Sequence, residues 1–374
     1  MPKFVKNILG FVHEAEWLDV GFEVTRQNDP IDTLLGDTKT DNLMAEWQSI
    51  ASEYQIPMAA HFHGFDTESN TTFRVPIDSH NIEKGLIKVK LNQSERMRAL
   101  VRTGVKEDKL YDYVINDGVR LSEQVFTRSK VAKNELLATG KVTIKENNLN
   151  LTVDYGVSAD QTSYEIDFAE DKDVFEQIEE IVNAASDKGA ILNGIYTSKA
   201  MLSKIRKHPS VQKAIHGAAS VGEIVKRSEL ESHLSEEYDI NYVITNDLTY
   251  GKTVSFDSEG KPIIQTDRYY PADKITFFAT NPGGRLGVGL WGNPPEIDAK
   301  LVDQKVNASG ESPYVYVSQW MENDPAVLWT KASGLFMPVL YNPSSLYIAT
   351  AKTSEANTTP ANTTPAEPEE EPAG

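Results

Sequence analysis

No cysteine occurs among the 374 residues. Disulfides, thiolate metal sites, iron–sulfur ligation and a cysteine nucleophile are therefore excluded. Stability has to come from non-covalent burial or from subunit association. Positive charge is in deficit as well: 37 lysines and arginines face 55 aspartates and glutamates, a net charge of −18. The basic footprint that grips DNA or an anionic membrane is missing. Part of the acidity is local, with Glu367, Glu369, Glu370 and Glu371 crowded near the end. The opening MPKFVKNILGFVHEAEW lacks the marks of a secretory signal. Its apolar run is broken by Gly10 and leads into His13, Glu14 and Glu16, not into a small-residue cleavage site. Long hydrophobic runs are absent with one apparent exception, the uncharged stretch from Ala332 to Ala351. Pro338, Asn342, Pro343 and three serines would interrupt a membrane helix there. The stretch reads instead as a strand pair joined at YNPSS.

What is present is ordinary for a globular chain, 40% hydrophobic and 25% charged. The length suffices for about two or three domains. Residues 1–40 are weakly periodic and read as an extended arm. In TDNLMAEWQSIASEYQ (40–55), Leu43, Trp47 and Ile50 fall on one helical face behind a Thr40 or Asp41 cap. IPMAAHFHGF and TTFRVPID then flank a polar loop, a hairpin-like excursion, and GLIKVKLN (85–92) reads as a strand. The strongest helix runs from Leu110 to Ala138, roughly 40 Å long at 1.5 Å per residue. Leu110, Val114, Leu121, Val125, Ala132 and Leu136 form a narrow stripe, and Asp117, Glu123, Arg128 and Lys130 occupy the other face. Such a helix is expected to lie across something rather than through a core. Gly140 stops it, and a hairpin turns at Asn147-Asn148.

A second region alternates helices and strands: a helix over 173–189 ended by Gly189, a buried strand in AILNGIYTS, and one or two helices broken near Pro209. A helix in VGEIVKRSELESHLSEEY, a buried strand in DINYVITND, a hairpin around SEGK and a strand in ADKITFFAT follow. The chain returns to strands in SPYVYVSQWMEN and AVLWTKASG. From Thr353 onward the repeat ANTTP and the segment AEPEEEPAG cannot bury a core, so a disordered acidic tail is expected.

Chemistry is scarce. Gly287–Gly292, GVGLWG, matches the dinucleotide pattern G-x-G-x-x-G, but Asn293-Pro294-Pro295 blocks the helix that pattern must open. It reads as a glycine-rich loop of close backbone approach, in a subunit contact. Gly217–Val225 has P-loop spacing, yet Glu223 and Ile224 replace the phosphate-binding Lys-Ser/Thr. His61 and His63 share a strand face, with Asp66, Glu68 and His80 as conceivable co-ligands, but exposed histidine pairs are commonly plain polar surface. Glu170, Asp171 and Asp173 sit at a helix front, where negative charge suits the dipole. Neither H-E-x-x-H, G-x-S-x-G nor a calcium loop occurs. No catalytic, cofactor-binding or metal residue is assigned, and the pattern suits a protein whose work is to meet copies of itself.

Three motifs in order carry a resemblance: KNELLATGKVTI with LTVDYG, then DSEGKPIIQTDRYYPADKITFFA, then MPVLYNPSSLYIATA. Over roughly 85–352 the chain resembles the phage lambda-type major capsid proteins, called phage major capsid protein E. The resemblance implies an α+β fold, the tailed-phage major capsid fold shared with encapsulins. Its parts would be an N-terminal arm (1–50), an extended loop (51–92), a peripheral domain with a long spine helix (93–165 and 290–352), an axial domain (166–289) and the tail (353–374). The hairpin after Gly140 would continue the peripheral sheet.

The resemblance further implies a non-enzymatic subunit that self-assembles, as hexamers and pentamers, into the icosahedral head shell of a tailed bacteriophage. The shell would be built in the host cytoplasm, belong to the virion and enclose double-stranded DNA held non-specifically, without a membrane. A separate scaffolding protein, a portal and a decoration protein are the implied partners. Some capsids of this fold cross-link through an extended-loop lysine, but no lysine lies between Lys39 and Lys84, so no such bond is expected. No long helical leader precedes the arm, which points to a separate scaffold, or equally to a mature, cleaved chain. The alternatives are an encapsulin-like compartment and, in another class, a nucleotide-dependent enzyme using Gly287–Gly292.

Overall fold

The computed structural model describes residues 29–50, 59, 77–93, 107–146, 149–218, 222–256, 262–296, 310–311, 314–323 and 326–352. A one-turn helix α1 (Ile31–Leu34) leads into β1 (Leu35–Lys39), β2 (Met44–Ile50), β3 (Ile77–Glu83) and β4 (Gly85–Gln93). The long helix α2 (Glu107–Thr139) is followed by β5 (Lys141–Glu146), β6 (Leu149–Asp154), α3 (Ala159–Thr162) and β7 (Tyr164–Asp167). Next come α4 (Val174–Asp187), β8 (Gly194–Thr197), α5 (Lys199–Lys207), α6 (Pro209–His216), α7 (Arg227–Tyr238) and β9 (Tyr242–Thr245). The remaining strands are β10 (Thr249–Phe256), β11 (Pro262–Arg268), β12 (Lys274–Phe278), β13 (Gly287–Gly292), β14 (Gly310–Glu311), β15 (Tyr316–Asn323), β16 (Ala326–Leu340) and β17 (Leu346–Lys352).

Two sheets carry the fold. One is organised by the long β16, which pairs β15 along its first half, β13 along its second and β4 along its middle; β1 adds to β13 in parallel. The other runs β7-β17-β12-β8-β9 and is covered by α4 to α7. Helix α2 packs on β16 and β4, and its last turn reaches β12 and β17 of the second sheet.

The helix-covered layer forms as its pattern dictates. Asp173 caps α4 by accepting from Phe175 N at 2.9 Å. Val174, Phe175, Ile178, Ile181 and Ala185 are buried in one stripe, and Gly189 follows with φ +79°. The break near Pro209 divides α5 from α6, with Pro209 at the first position of α6. The strand expected in DINYVITND is β9, but it is an edge strand with Tyr242 exposed rather than a buried one. The hairpin expected around SEGK is β10–β11.

The long helix ends where expected. Gly140 adopts φ +69°, its N–H donates to Leu136 O at 2.8 Å, and an added Cβ would press on Val157 Cβ at 2.8 Å. The last carbonyls are satisfied by the second sheet: Lys274 Nζ donates to Ala138 O and Thr276 Oγ1 to Leu137 O, each at 2.7 Å. The expectation of a helix lying outside a core is corrected. Its C-terminal half is enclosed by both sheets and Lys130 there is buried, as is Asp117 in the other half, although the pattern places both on the outer face.

Four further expectations are corrected. Residues 44–50 form a strand, not a helix, because Ala45 and Trp47 alternate inward and Trp47 stacks on His80 of the paired β3 at 5.0 Å; Leu43 is exposed. The end of the stretch expected as an extended arm is built in, since Ile31 and Leu35 are fully buried and β1 belongs to the first sheet. β5–β6 is a separate two-stranded ribbon rather than a continuation of a sheet. The two C-terminal strands join at YNPSS as expected but do not pair: β16 lies in the first sheet and β17 in the second. The excursion between β2 and β3, the turn at Asn147-Asn148 and the tail lie outside the described residues.

Candidate functional site

A buried charged seam lies where the root of the arm, α2 and both sheets meet. Asp29 and Asp32 come from the first turn, Asp37 from β1, and Lys130 and Lys133 from α2. Lys133 is 0% exposed, and its Nζ stands 2.7 Å from Asp32 Oδ1 and 2.8 Å from Asp37 Oδ1. Lys130 Nζ lies 3.9 Å from Asp32 Oδ2. On the side of the second sheet, Asp29 Oδ1 accepts from Ile31 N at 3.0 Å and from Asn246 Nδ2 at 3.2 Å. Asn246 also donates to Tyr196 Oη at 2.7 Å, and Tyr196 donates to Asn134 Oδ1 of α2 at 2.8 Å.

Burial pushes the Asp37 carboxyl up, with Lys133 pulling it back. Burial likewise raises Asp29, against the Ile31 hydrogen bond and the two lysines. For Lys133 burial pulls the ammonium down, but Asp37 and Asp32 outweigh it and hold its pKa above the usual lysine range. Taking such a charge out of water costs several kcal/mol, which only close counter-charges offset.

The glycines of GVGLWG make this seam possible. Residues 287–292 are the strand β13, not a loop, and sit between β1 and β16 inside one molecule. They open no helix, so the dinucleotide reading fails on geometry. An added Cβ at Gly287 would run into Val339 O, and one at Gly289 would strike Asp37 Oδ1 and come within 2.9 Å of Lys133 Cε. At Gly292 it would meet Lys84 Cδ and Nζ at 3.2 Å. Two of the three glycines thus leave room for buried lysines.

Lys84, 2% exposed, joins β3 to β4 and closes the base of the β2–β3 hairpin. Its Nζ donates to Thr40 Oγ1 at 2.6 Å and Asn42 O at 2.5 Å, with Thr40 O and Trp291 O each at 3.3 Å. Burial lowers its pKa, opposed by Asp41. Around it Trp291 packs on Phe336 at 4.7 Å and Phe126 at 5.3 Å.

None of this resembles a reaction centre. The seam's charges are spent on one another, and among the described residues no group of three acidic, histidine or cysteine side chains is placed to hold a metal. His61, His63, Asp66 and Glu68 lie outside the described residues, and His80 stacks on Trp47. Asp173 is a helix cap, with Glu170 and Asp171 exposed ahead of it. In Gly217–Val225, Gly217 follows the C-terminal end of α6, which is the wrong pole for phosphate. Among the described residues no helix is long and apolar enough to cross a membrane.

Lys133 escaped the pattern reading although a signal was present. It stands four residues after Ser129 and eight after Val125, in line with the buried face. Lys84 and the three aspartates carried no signal, because their partners are remote in sequence.

Two ribbons carry exposed apolar side chains. β5–β6 and β10–β11 pair with no further strand among the described residues. Leu149 and Leu151 are exposed on the first, and Val254, Ile263 and Ile264 on the second.

Comparison with known proteins places these features. The family described as Phage major capsid protein E matches residues 64–351. A putative capsid protein of a prophage from E. coli CFT073 superposes with a TM-score of 0.52 at 12% identity, covering 91% of this chain and 99% of that one. That likeness shows the fold. A phage-related protein from Bordetella bronchiseptica RB50 is similar with a TM-score of 0.48 at 10% identity, over 89% of this chain and 95% of that one. The capsid of Myoviridae phage XM1 is similar with a TM-score of 0.46 at 9% identity, over 85% and 89%. No curated protein sequence matches.

Proposed function

The chain belongs to the phage major capsid protein E family and is a shell-forming capsid protein of a bacteriophage virion; from that premise we propose how it builds the shell. Copies meet as hexamers and pentamers of an icosahedral head around double-stranded DNA. Each copy offers a different patch to each neighbour, so contacts are heterologous and close by rotation. Many modest contacts together make the shell stable. The observation that carries this is the family match across residues 64–351.

Within that reading α2, the β5–β6 ribbon, β15 and β16 fall in the peripheral domain (93–165 and 290–352), and α4 to α7 with β8, β9 and β12 fall in the axial domain (166–289). β17 pairs within the axial sheet, so we assign it there. The arm (1–50), whose strand β1 is built into the first sheet, and the extended loop (51–92) complete the division. Lys84 clamps that loop at its base. The negative charge suits a wall that confines DNA without gripping it, the DNA charge being met by counterions. We propose a separate scaffolding protein and a portal as partners, with a decoration protein outside, and no catalytic role.

The test is expression alone and together with a scaffolding protein, followed by electron microscopy. Closed shells or rings are expected. Monomers only, under both conditions, would overturn the reading.

A further inference from the structure

The ribbon β10–β11 has a fixed root and a bare blade. At the root, Tyr250 and Tyr269 pack with ring centroids 5.0 Å apart, and Arg268 pairs with Asp247 at 3.0 Å. Beyond it every residue from Pro262 to Thr266 is exposed. Ile263 and Ile264, 50% and 62% exposed, are consecutive and point to opposite faces, so both faces of the blade are apolar. On the partner strand the register slips between Thr253 and Ser255, and Val254 stands 58% exposed. A two-stranded ribbon whose blade is left exposed among the described residues is marginal in water.

Charge says what covers it. The chain carries −18, so copies repel one another at long range. From Thr249 to Arg268 the hairpin sequence carries Lys252, Lys261 and Arg268 against Asp257, Glu259 and Asp267, a neutral segment on an acidic body. Apolar surface that lacks the chain's negative charge is where an acidic copy can be met without repulsion. We infer that the β10–β11 ribbon docks on a second copy of this chain. The inference rests on the shell reading and names one of its seams.

Because the chain has no cysteine, Ile264→Cys supplies a single thiol. Assembled shells and subunits dissociated from them are treated with a maleimide probe. Labelling about tenfold slower in shells is expected. Ile264→Glu, which adds negative charge at an exposed position, should lower shell yield by about tenfold while the free subunit keeps its melting temperature; Ile264→Lys should lower it less. Equal labelling in both states, or undiminished yield from Ile264→Glu, would overturn the contact. Protection seen only while scaffolding protein is present, and lost in shells freed of it, would assign the ribbon to that protein and overturn it too. Failure of the unsubstituted chain to form shells in the same assay would sink the shell reading itself, and this contact with it.

Discussion

The two cores of this molecule are built on different principles. The layer beneath α4 to α7 is a plain apolar core of Ile178, Ile181, Leu202, Ile205, Leu230, Leu234 and Phe277. The layer between α2 and the sheet of β16 is larger and carries ions inside it. Lys133 and Lys84 are buried there among Trp291, Phe336, Leu136 and Val339. The first is made mainly of elements close in sequence, each announcing its inward face by its own period. The second joins the arm root, the long helix and the last third of the chain, and charge rather than volume fixes their register. A buried lysine tolerates only the arrangement that brings its carboxylates within reach, so the seam selects one docking of Asp29–Lys39 on α2.

That contrast can be broken most severely at Lys133. Lys133→Met leaves Asp37 buried without its counter-charge and should destabilise the chain by about 3–5 kcal/mol, read as a lower urea midpoint. A loss below about 1 kcal/mol would mean that the seam is ornamental. Gly140→Ala comes next. It forces a side chain into a left-handed position and against Val157, and about 1–3 kcal/mol should be lost in thermal unfolding. In the apolar core, Ile178→Val removes only one methylene and should cost about 0.5–1.5 kcal/mol, with no dependence on pH or salt.

The smallest effect is the most specific. Burial raises the Asp29 pKa above the ordinary 3.8, so between that value and the folded-state one the native chain keeps a proton that the unfolded chain has released. Stability associated with that group is complete below about pH 4 and is lost as pH rises through the folded-state value. Asp29→Asn removes this dependence. Its urea midpoint should match that of the unsubstituted chain near pH 3.5 and exceed it at pH 8. A variant weaker at pH 8 would show that the carboxylate is wanted as an anion.

How much was legible follows the same division. Helices α2 and α4, the Pro209 break, the Gly140 stop and the β5–β6 and β10–β11 pairs were readable, because each depends on neighbours within a few turns. Residues 44–50 were misread because Trp47 is held by His80 and Tyr155, rings that lie far along the chain. The GVGLWG stretch showed that glycines were needed for close approach, but not that Lys133 and Lys84 were what approached. Its subunit-contact reading gave way to a strand inside one molecule.

By itself the amino-acid sequence determined the absence of thiol chemistry, the acidic surface, the periodic elements and the order of motifs that marks a capsid family. These are local or additive properties, and no tertiary contact alters them. Only the tertiary structure decided that the arm root is a core strand, that β17 joins a different sheet from β16, and that two lysines are interior. Each of those outcomes depends on segments brought together across tens to hundreds of residues, where the cost of burying charge and backbone depends on geometry that no single stretch encodes.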